Sequence, residues 1–338
     1  MTAPRYDVIA IGNAIVDVMA PASDELVEEL GMKKGGMTLV DARQAEELYA
    51  AMGPAKEISG GSAANTLAGL SGMGAQCAFV GQVADDQLGN VFAHDIRAVG
   101  IDFDVPAREG EPPTARCLIF VTPDGQRTMN TFLGASAQMG PGQIDEDTIA
   151  NARFVYLEGY LLTTDEGFSA CERAATAARA QGVAVSVTLS DPFVVGAFQE
   201  RFERLLESGV DLLFCNEDEA IAFTGLNDRS EAASALAARV GRAFVTCGAD
   251  GALVCTQTGQ DLIGGHAVSA VDTTGAGDSF AGGVLYGLSH DLNPEASAAL
   301  GNYAAACVVS AYGPRLGQRI EEHIDAIVAG TAPPPAAL

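Results

Sequence analysis

The residues best suited to chemistry form one run near the C-terminus, Asp272-Thr273-Thr274-Gly275-Ala276-Gly277-Asp278-Ser279-Phe280. Two glycines at a helix start let backbone N–H groups approach an anion, and the helix dipole adds a favourable field. Beside such an anion hole, Asp278 could take a proton from an attacking hydroxyl while Gly275, Ala276 and Gly277 stabilise transferred phosphoryl charge. An aspartate at a helix start is also an ordinary cap, and these residues alone leave both readings open. The run is no Walker A loop, nor a dinucleotide fingerprint, because Phe280 stands where G-x-G-x-x-G needs its last glycine.

Gly60-Gly61 and Asn65 make a second glycine-rich helix entrance, suited to a polyhydroxylated ligand that the Asn65 amide could both donate to and accept from. A plain N-terminal turn would look the same. Asn13 and Asp17 lie within or just after the first apolar strand, where a carboxylate can accept from two neighbouring hydroxyls or simply face solvent at an edge. Asn216-Glu217-Asp218-Glu219 follows a buried strand, where open α/β sheets place ligand loops. Its carboxylates could organise Mg²⁺ through water, or serve only as an acidic helix start. Arg127, in a hairpin, could reach a phosphate or be merely solvated.

The elements that must position these groups read as an α/β fold. Tyr6–Gly12 is a short apolar strand ending in glycine, and Cys77–Gly81 is another. Residues 14–59 are less regular, with a polar helix over Ser23–Leu30 and a β-like piece at Met37–Val40. Arg116–Val121 and Arg127–Leu133 flank Thr122-Pro123-Asp124-Gly125-Gln126, a hairpin signal. From about 150 onward, strands (Phe154–Leu157, Val183–Leu189, Leu212–Cys215, Phe244–Thr246) alternate with helices such as Ala170–Ala180 and Glu231–Val240. That alternation predicts a doubly wound, mostly parallel sheet. A β-like run, Ala267–Val271, precedes the aspartate motif. One domain over residues 1–330 is expected, with two β-rich excursions (about 13–59 and 112–135) pairing into a small sheet lid over the site. Residues 331–338 read as a disordered tail.

Bulk composition narrows the partners. The 338 residues carry 19 basic and 44 acidic side chains, a formal charge of −25, which disfavours nucleic acid and anionic membrane. Any phosphate must then be held by local devices: N–H groups, helix starts, a few arginines and a metal ion. The seven cysteines are scattered singly and four histidines lie far apart, so neither a disulfide framework nor a zinc site is expected. With no signal peptide or membrane span legible, the expected location is cytoplasmic.

Together these motifs resemble the ribokinase-like carbohydrate kinases. Asp272–Phe280 resembles that family's C-terminal signature, Gly60–Gly74 with Gly81 and Gly89 its N-terminal one, and Asn216–Glu219 its N-x-x-E motif, in family order. The adenosine kinase branch is most similar: Gly12-Asn13-Ala14-Ile15-Val16-Asp17, Gly60-Gly61-Ser62 and Leu189-Ser190-Asp191-Pro192-Phe193 look like it, whereas ribokinases typically carry lysine where Ser62 stands.

The resemblance implies a Rossmann-like core with a β lid and ATP-dependent phosphorylation of the adenosine ribose 5′-hydroxyl, giving AMP and ADP. A free sugar or another nucleoside is the alternative acceptor. It implies Asp278 as base, Gly275–Gly277 as anion hole, and Asn13, Asp17, Gly60, Gly61 and Asn65 on the ribose, with Arg127 closing on the phosphates. Asn216 and Glu219 would serve Mg²⁺ and phosphate, and Thr246, Gly248, Gly251 and Asn302 the nucleotide. Asp272 and Thr274, with the loop around Gly313, resemble a monovalent-cation site, K⁺ being the candidate. Members of the family occur as monomers and as homodimers. A ligand sensor without turnover is the rival from another class, and a sensor has no need of a base. A nicotinamide dehydrogenase is disfavoured by the missing fingerprint.

Overall fold

The computed structural model describes residues 4–317 and 319–335. In chain order the strands are β1 (Tyr6–Ile11), β2 (Ile15–Pro21), β3 (Met37–Leu39), β4 (Lys56–Gly60), β5 (Cys77–Val80), β6 (Ile101–Asp102), β7 (Ala115–Val121), β8 (Arg127–Phe132), β9 (Ala152–Glu158), β10 (Ala184–Thr188), β11 (Leu212–Asn216), β12 (Arg242–Thr246), β13 (Gly251–Thr256) and β14 (Gly259–Gly264). They make two sheets.

The larger sheet has the order β14-β13-β12-β11-β10-β9-β1-β5-β6. It is parallel from β12 to β6 and ends in an antiparallel hairpin, β13–β14. Its central strands are apolar on both faces because helices cover both. In β1, Val8 and Ala10 point to one core while Ile9 and Ile11 point to the other. The first face packs on the helices Ser62–Gly72 and Ala276–Ser289, with Phe214 and Phe244 stacked at 5.3 Å. The second face packs on the helix Asp165–Gln181.

The smaller sheet has the order β3-β8-β7-β2-β4 and draws its strands from residues 15–60 and 115–132. β7 and β8 form the hairpin that Asp124-Gly125 signalled, closed by Thr122 and Gln126, with Gly125 at φ 80°.

Three expectations need correction. Asn13 lies just after β1, within what was expected, but Asp17 belongs to β2, flanked by β4 and β7 rather than at an edge. Ala267–Val271 is not a strand: Val271 N–H donates to the Val309 carbonyl, hanging the segment on the end of the helix Pro294–Val309. Residues 331–335, expected to be disordered, dock on that same helix, where the Tyr303 hydroxyl donates to the Pro333 carbonyl at 2.8 Å. Residues 336–338 of the expected tail lie outside the described residues.

All seven cysteines are free thiols, and no helix among the described residues is long and apolar enough to cross a membrane.

The helices Ala276–Ser289 and Pro294–Val309 touch through glycine: a Cβ at Gly283 would lie 2.6 Å from Gly301 Cα. Gly283→Ala should therefore cost about 1–3 kcal/mol through overpacking. Urea unfolding checks this; a midpoint equal to the wild type would mean that the two helices separate freely.

Candidate active site

In the large sheet the chain order reverses between β1 and β9, and such a switch point opens a crevice at the strand ends. Asn13 and Glu158 meet across it. Glu158, 1% exposed, accepts from Asn13 Nδ2 at 2.7 Å, Asn13 N at 3.3 Å and Ala63 N at 3.0 Å. Burial pushes its carboxyl up to about 7, against the pull of those donors. Gly61 suits glycine on two counts, its φ of 96° and the Asn13 carbonyl that a Cβ would strike at 2.3 Å. Gly60 lies directly on the Asp17 carboxylate. Asp17 is 9% exposed, and burial raises it to about 6 while Arg315 and Arg127 oppose the rise.

Asp278 enters from the other side, in the first turn of the helix Ala276–Ser289. Gly275 begins that helix at φ 77°, with the Pro314 carbonyl 2.3 Å from where a Cβ would be. The Asp278 carboxylate caps nothing. Its Oδ1 accepts from Ser62 Oγ at 2.6 Å and its Oδ2 from Asn65 Nδ2 at 3.4 Å, both on the facing helix Ser62–Gly72. Burial raises it to about 6, with Ser62, Asn65 and Arg315 holding it back. The Ala276 amide donates to Thr273 O at 3.3 Å, whereas those of Gly277 and Asp278 find no acceptor among the described residues. A carboxylate turned away from its own helix start, next to free N–H groups, can accept a proton while those groups face an anion.

Arg127 stands elsewhere than expected. At the start of β8 it pairs with Asp272 Oδ2 at 2.6 Å, both side chains 7% exposed. Asp272 also accepts from Gly313 N at 2.8 Å and Thr274 N at 3.1 Å. Arg127 is thus engaged with Asp272 instead of open to phosphates, though its Nε and Nη1 are buried without acceptors. Asp272, expected beside a monovalent cation, meets a guanidinium here, and Thr274 is drawn in through its amide.

Where nucleotide contacts were expected, Asn216 and Glu219 form a reciprocal capping box at the helix Glu217–Thr224: both Glu219 oxygens accept from Asn216, and Asn216 Oδ1 accepts from Glu219 N. Burial raises Glu219 to about 7. No cluster of three or more metal-binding side chains exists among the described residues. Thr246 ends β12, Gly248 follows at φ 56°, and Gly251 abuts the Ile263 carbonyl. Asn302 donates to the Ile263 and Gly264 carbonyls at 2.9 and 3.1 Å, so its N–H groups hold the end of β14.

Sequence reasoning missed two residues. Glu158 ends an apolar strand just before Gly159, and the rule that singled out Asn216 at the end of β11 would have found it. Arg315 carries no local signal. It reaches Asn65 Oδ1 and Ser59 Oγ at 3.0 Å each, from 250 and 256 residues away in sequence.

In comparisons with known proteins, residues 40–320 match the pfkB family carbohydrate kinase. An ATP-dependent ribose-1-phosphate kinase of Halopiger xanaduensis is 34% identical, over 81% of this chain and 86% of that protein. The adenosine kinase of Saccharomyces cerevisiae is 26% identical, over 93% and 97%. The crystal structure of adenosine kinase from Sinorhizobium meliloti superposes with a TM-score of 0.88 at 43% identity, covering 95% of this chain and 99% of that one.

Asp17, Glu158, Glu219 and Asp278 all bind their protons more tightly folded than unfolded. Each therefore contributes stability at low pH that is lost as pH rises through its folded value of about 6 or 7. Asp278→Asn, neutral at every pH, should raise the thermal midpoint most at pH 8, less at pH 5, and leave it unchanged only at about pH 3, where the carboxyl is protonated in both states. The gain is bounded by about 1.4 kcal/mol per pKa unit. Lower stability at pH 8 would show that the carboxylate is held by attraction and not merely tolerated.

Proposed function

We propose that this chain, which belongs to the pfkB family of carbohydrate kinases, transfers the γ-phosphoryl group of ATP to the ribose 5′-hydroxyl of adenosine, giving AMP and ADP. The observation that carries the chemistry is the Asp278 carboxylate, turned from its own helix onto Ser62 and Asn65 and set beside the unpaired amides of Gly277 and Asp278. In this reading Asp278 accepts the hydroxyl proton as the phosphoryl group arrives, and the Gly275–Gly277 turn faces the transferred charge. Asn13 and Asp17 take the ribose hydroxyls, with Gly60 and Gly61 letting backbone approach. Glu158 holds the Asn13 amide by its N–H groups, leaving the Asn13 carbonyl to accept from a hydroxyl.

Asn216 and Glu219 would hold a magnesium ion through water, and that ion would supply charge neutralisation for the ATP phosphates. The Thr246–Gly251 turn and the strand end held by Asn302 form the nucleotide side. The five-stranded sheet is the lid: its strands β2 and β4 bring Asp17 and Gly60 to the acceptor, so the sheet excludes water where the hydroxyl reacts. Arg127, rooted in the same sheet, would be drawn from Asp272 to the phosphates as the lid closes. The adenosine choice rests on likeness to adenosine kinases across nearly the whole chain.

A second reading has its own support, since the ribose-1-phosphate kinase relative is 34% identical. An ADP-release assay with adenosine, inosine, guanosine, ribose 1-phosphate, ribose and fructose separates the two. We expect the highest kcat/KM on adenosine; preference for ribose 1-phosphate or a free sugar would sink that reading. On the preferred acceptor, Asp278→Asn should lower kcat by about 10²–10⁴, the worth of a general base. Undiminished turnover would remove Asp278 from that role.

A further inference from the structure

We infer that Arg315 is a positioning residue for the acceptor side of the transfer: its guanidinium fixes the Asn65 amide and ties the root of the small sheet to the base. The inference rests on the proposed roles of Asp278 and Asn65. Arg315 is 15% exposed in its side chain and lies beyond the last large helix. Its Nε donates to Asn65 Oδ1 at 3.0 Å, its Nη2 to Ser59 Oγ at 3.0 Å, and its Nη1 lies 3.5 Å from Asp95 Oδ2. These three bonds leave along three directions of a rigid planar fork, which a lysine ammonium cannot reproduce.

The bond to Asn65 decides an orientation. An amide has a carbonyl at one end and an NH₂ at the other, and Arg315 offers donors only. With the carbonyl held by Arg315, the NH₂ faces Asp278 Oδ2. The flipped amide would set NH₂ against the guanidinium and oxygen against the carboxylate, losing both bonds.

The bond to Ser59 reaches the sheet. Ser59 lies on β4 opposite Val16, one position from the Asp17–Ile58 pair, and its N–H and hydroxyl both donate to Asp95 of the helix Gln87–Ala98. Arg315 thus joins the strand that carries Gly60 to the amide that meets the base.

The backbone of the same turn adds an independent tie. Gly313 N–H holds Asp272, and the Pro314 carbonyl packs on Gly275. A single turn therefore touches the Arg127–Asp272 pair, the loop before the base, and the acceptor residues.

Charge points the same way. The groups facing Asp278 are Asp17 from β2, Tyr156 and Glu158 from β9, Tyr160 just after it, and Glu219 across the crevice. All are acidic or neutral, and Arg315 is the cation that acts on Asp278.

Steady-state kinetics of Arg315→Met and Arg315→Lys, on the acceptor that the wild type uses best, tests the inference. Both variants should lose about a hundredfold in acceptor kcat/KM, the scale of a misplaced reacting group. Their Kd for ATP, by calorimetry without acceptor, should stay within about twofold. The acid limb of the kcat profile should move to higher pH in Arg315→Met and stay in place in Arg315→Lys, which keeps the charge. If Arg315→Met does not fold, the kcat/KM of Arg315→Lys decides the matter. Variants with wild-type acceptor kinetics, or with acceptor and ATP binding weakened in proportion, overturn the inference. A wild type inactive on every acceptor would overturn the proposed function as well, and so the two failures are distinguishable.

Discussion

Four buried carboxylates, those of Asp17, Glu158, Glu219 and Asp278, the first three each within the field of the fourth, sit in a protein whose formal charge is already −25. Desolvation opposes their ionisation and mutual repulsion adds to it, so the surrounding architecture must supply donors. It does so mostly with dipoles: the Ala63 amide and Asn13 for Glu158, Asn216 for Glu219, and Ser62 with Asn65 for Asp278. Full charges are sparing, with Arg315 and Arg127 the cations that act on Asp17. The glycines at 60, 61 and 275 follow from this need, because backbone has to come close where side chains would stand in the way.

Such a site is costly to fold and useful once folded. A carboxyl near 6 is ionised at neutral pH yet still basic enough to accept a proton in flight. Donors fixed before the reaction need not reorganise during it. The same reasoning explains why the helices beneath are Ala- and Gly-rich: Ser62–Gly72 and Ala276–Ser289 pack closely, which brings their two N-terminal turns within one hydrogen bond of each other.

Much of this was legible in the sequence where periodicity or turn chemistry was strong. The parallel core could be read from apolar runs buried on both faces, and the β7–β8 hairpin from Asp124-Gly125. Asn13, Asp17, Gly60, Gly61, Asn65 and Asp278 were each singled out, and the structure brings them to one crevice. What stayed hidden was long-range pairing. Arg127 was aimed at phosphates because nothing in the chain marks Asp272, 145 residues on, as its partner. Arg315 went unseen for the same reason. Ala267–Val271 has strand composition yet pairs with no strand, and its Val271 N–H donates to the Val309 carbonyl at a helix end instead. Residues 331–335 look like linker by composition but find a hydroxyl and an apolar groove on the last long helix.

The Arg127–Asp272 pair has a bearing on the medium in which this protein works. Exposed charges interact through water and are screened within about 8 Å at physiological ionic strength. The surface repulsion of an acidic chain therefore fades as salt is added, along with its many exposed ion pairs. A pair with both side chains 7% exposed is screened much less. Rising ionic strength thus relaxes the shell of this molecule more than it loosens the tie between the small sheet and the loop that leads to Asp278.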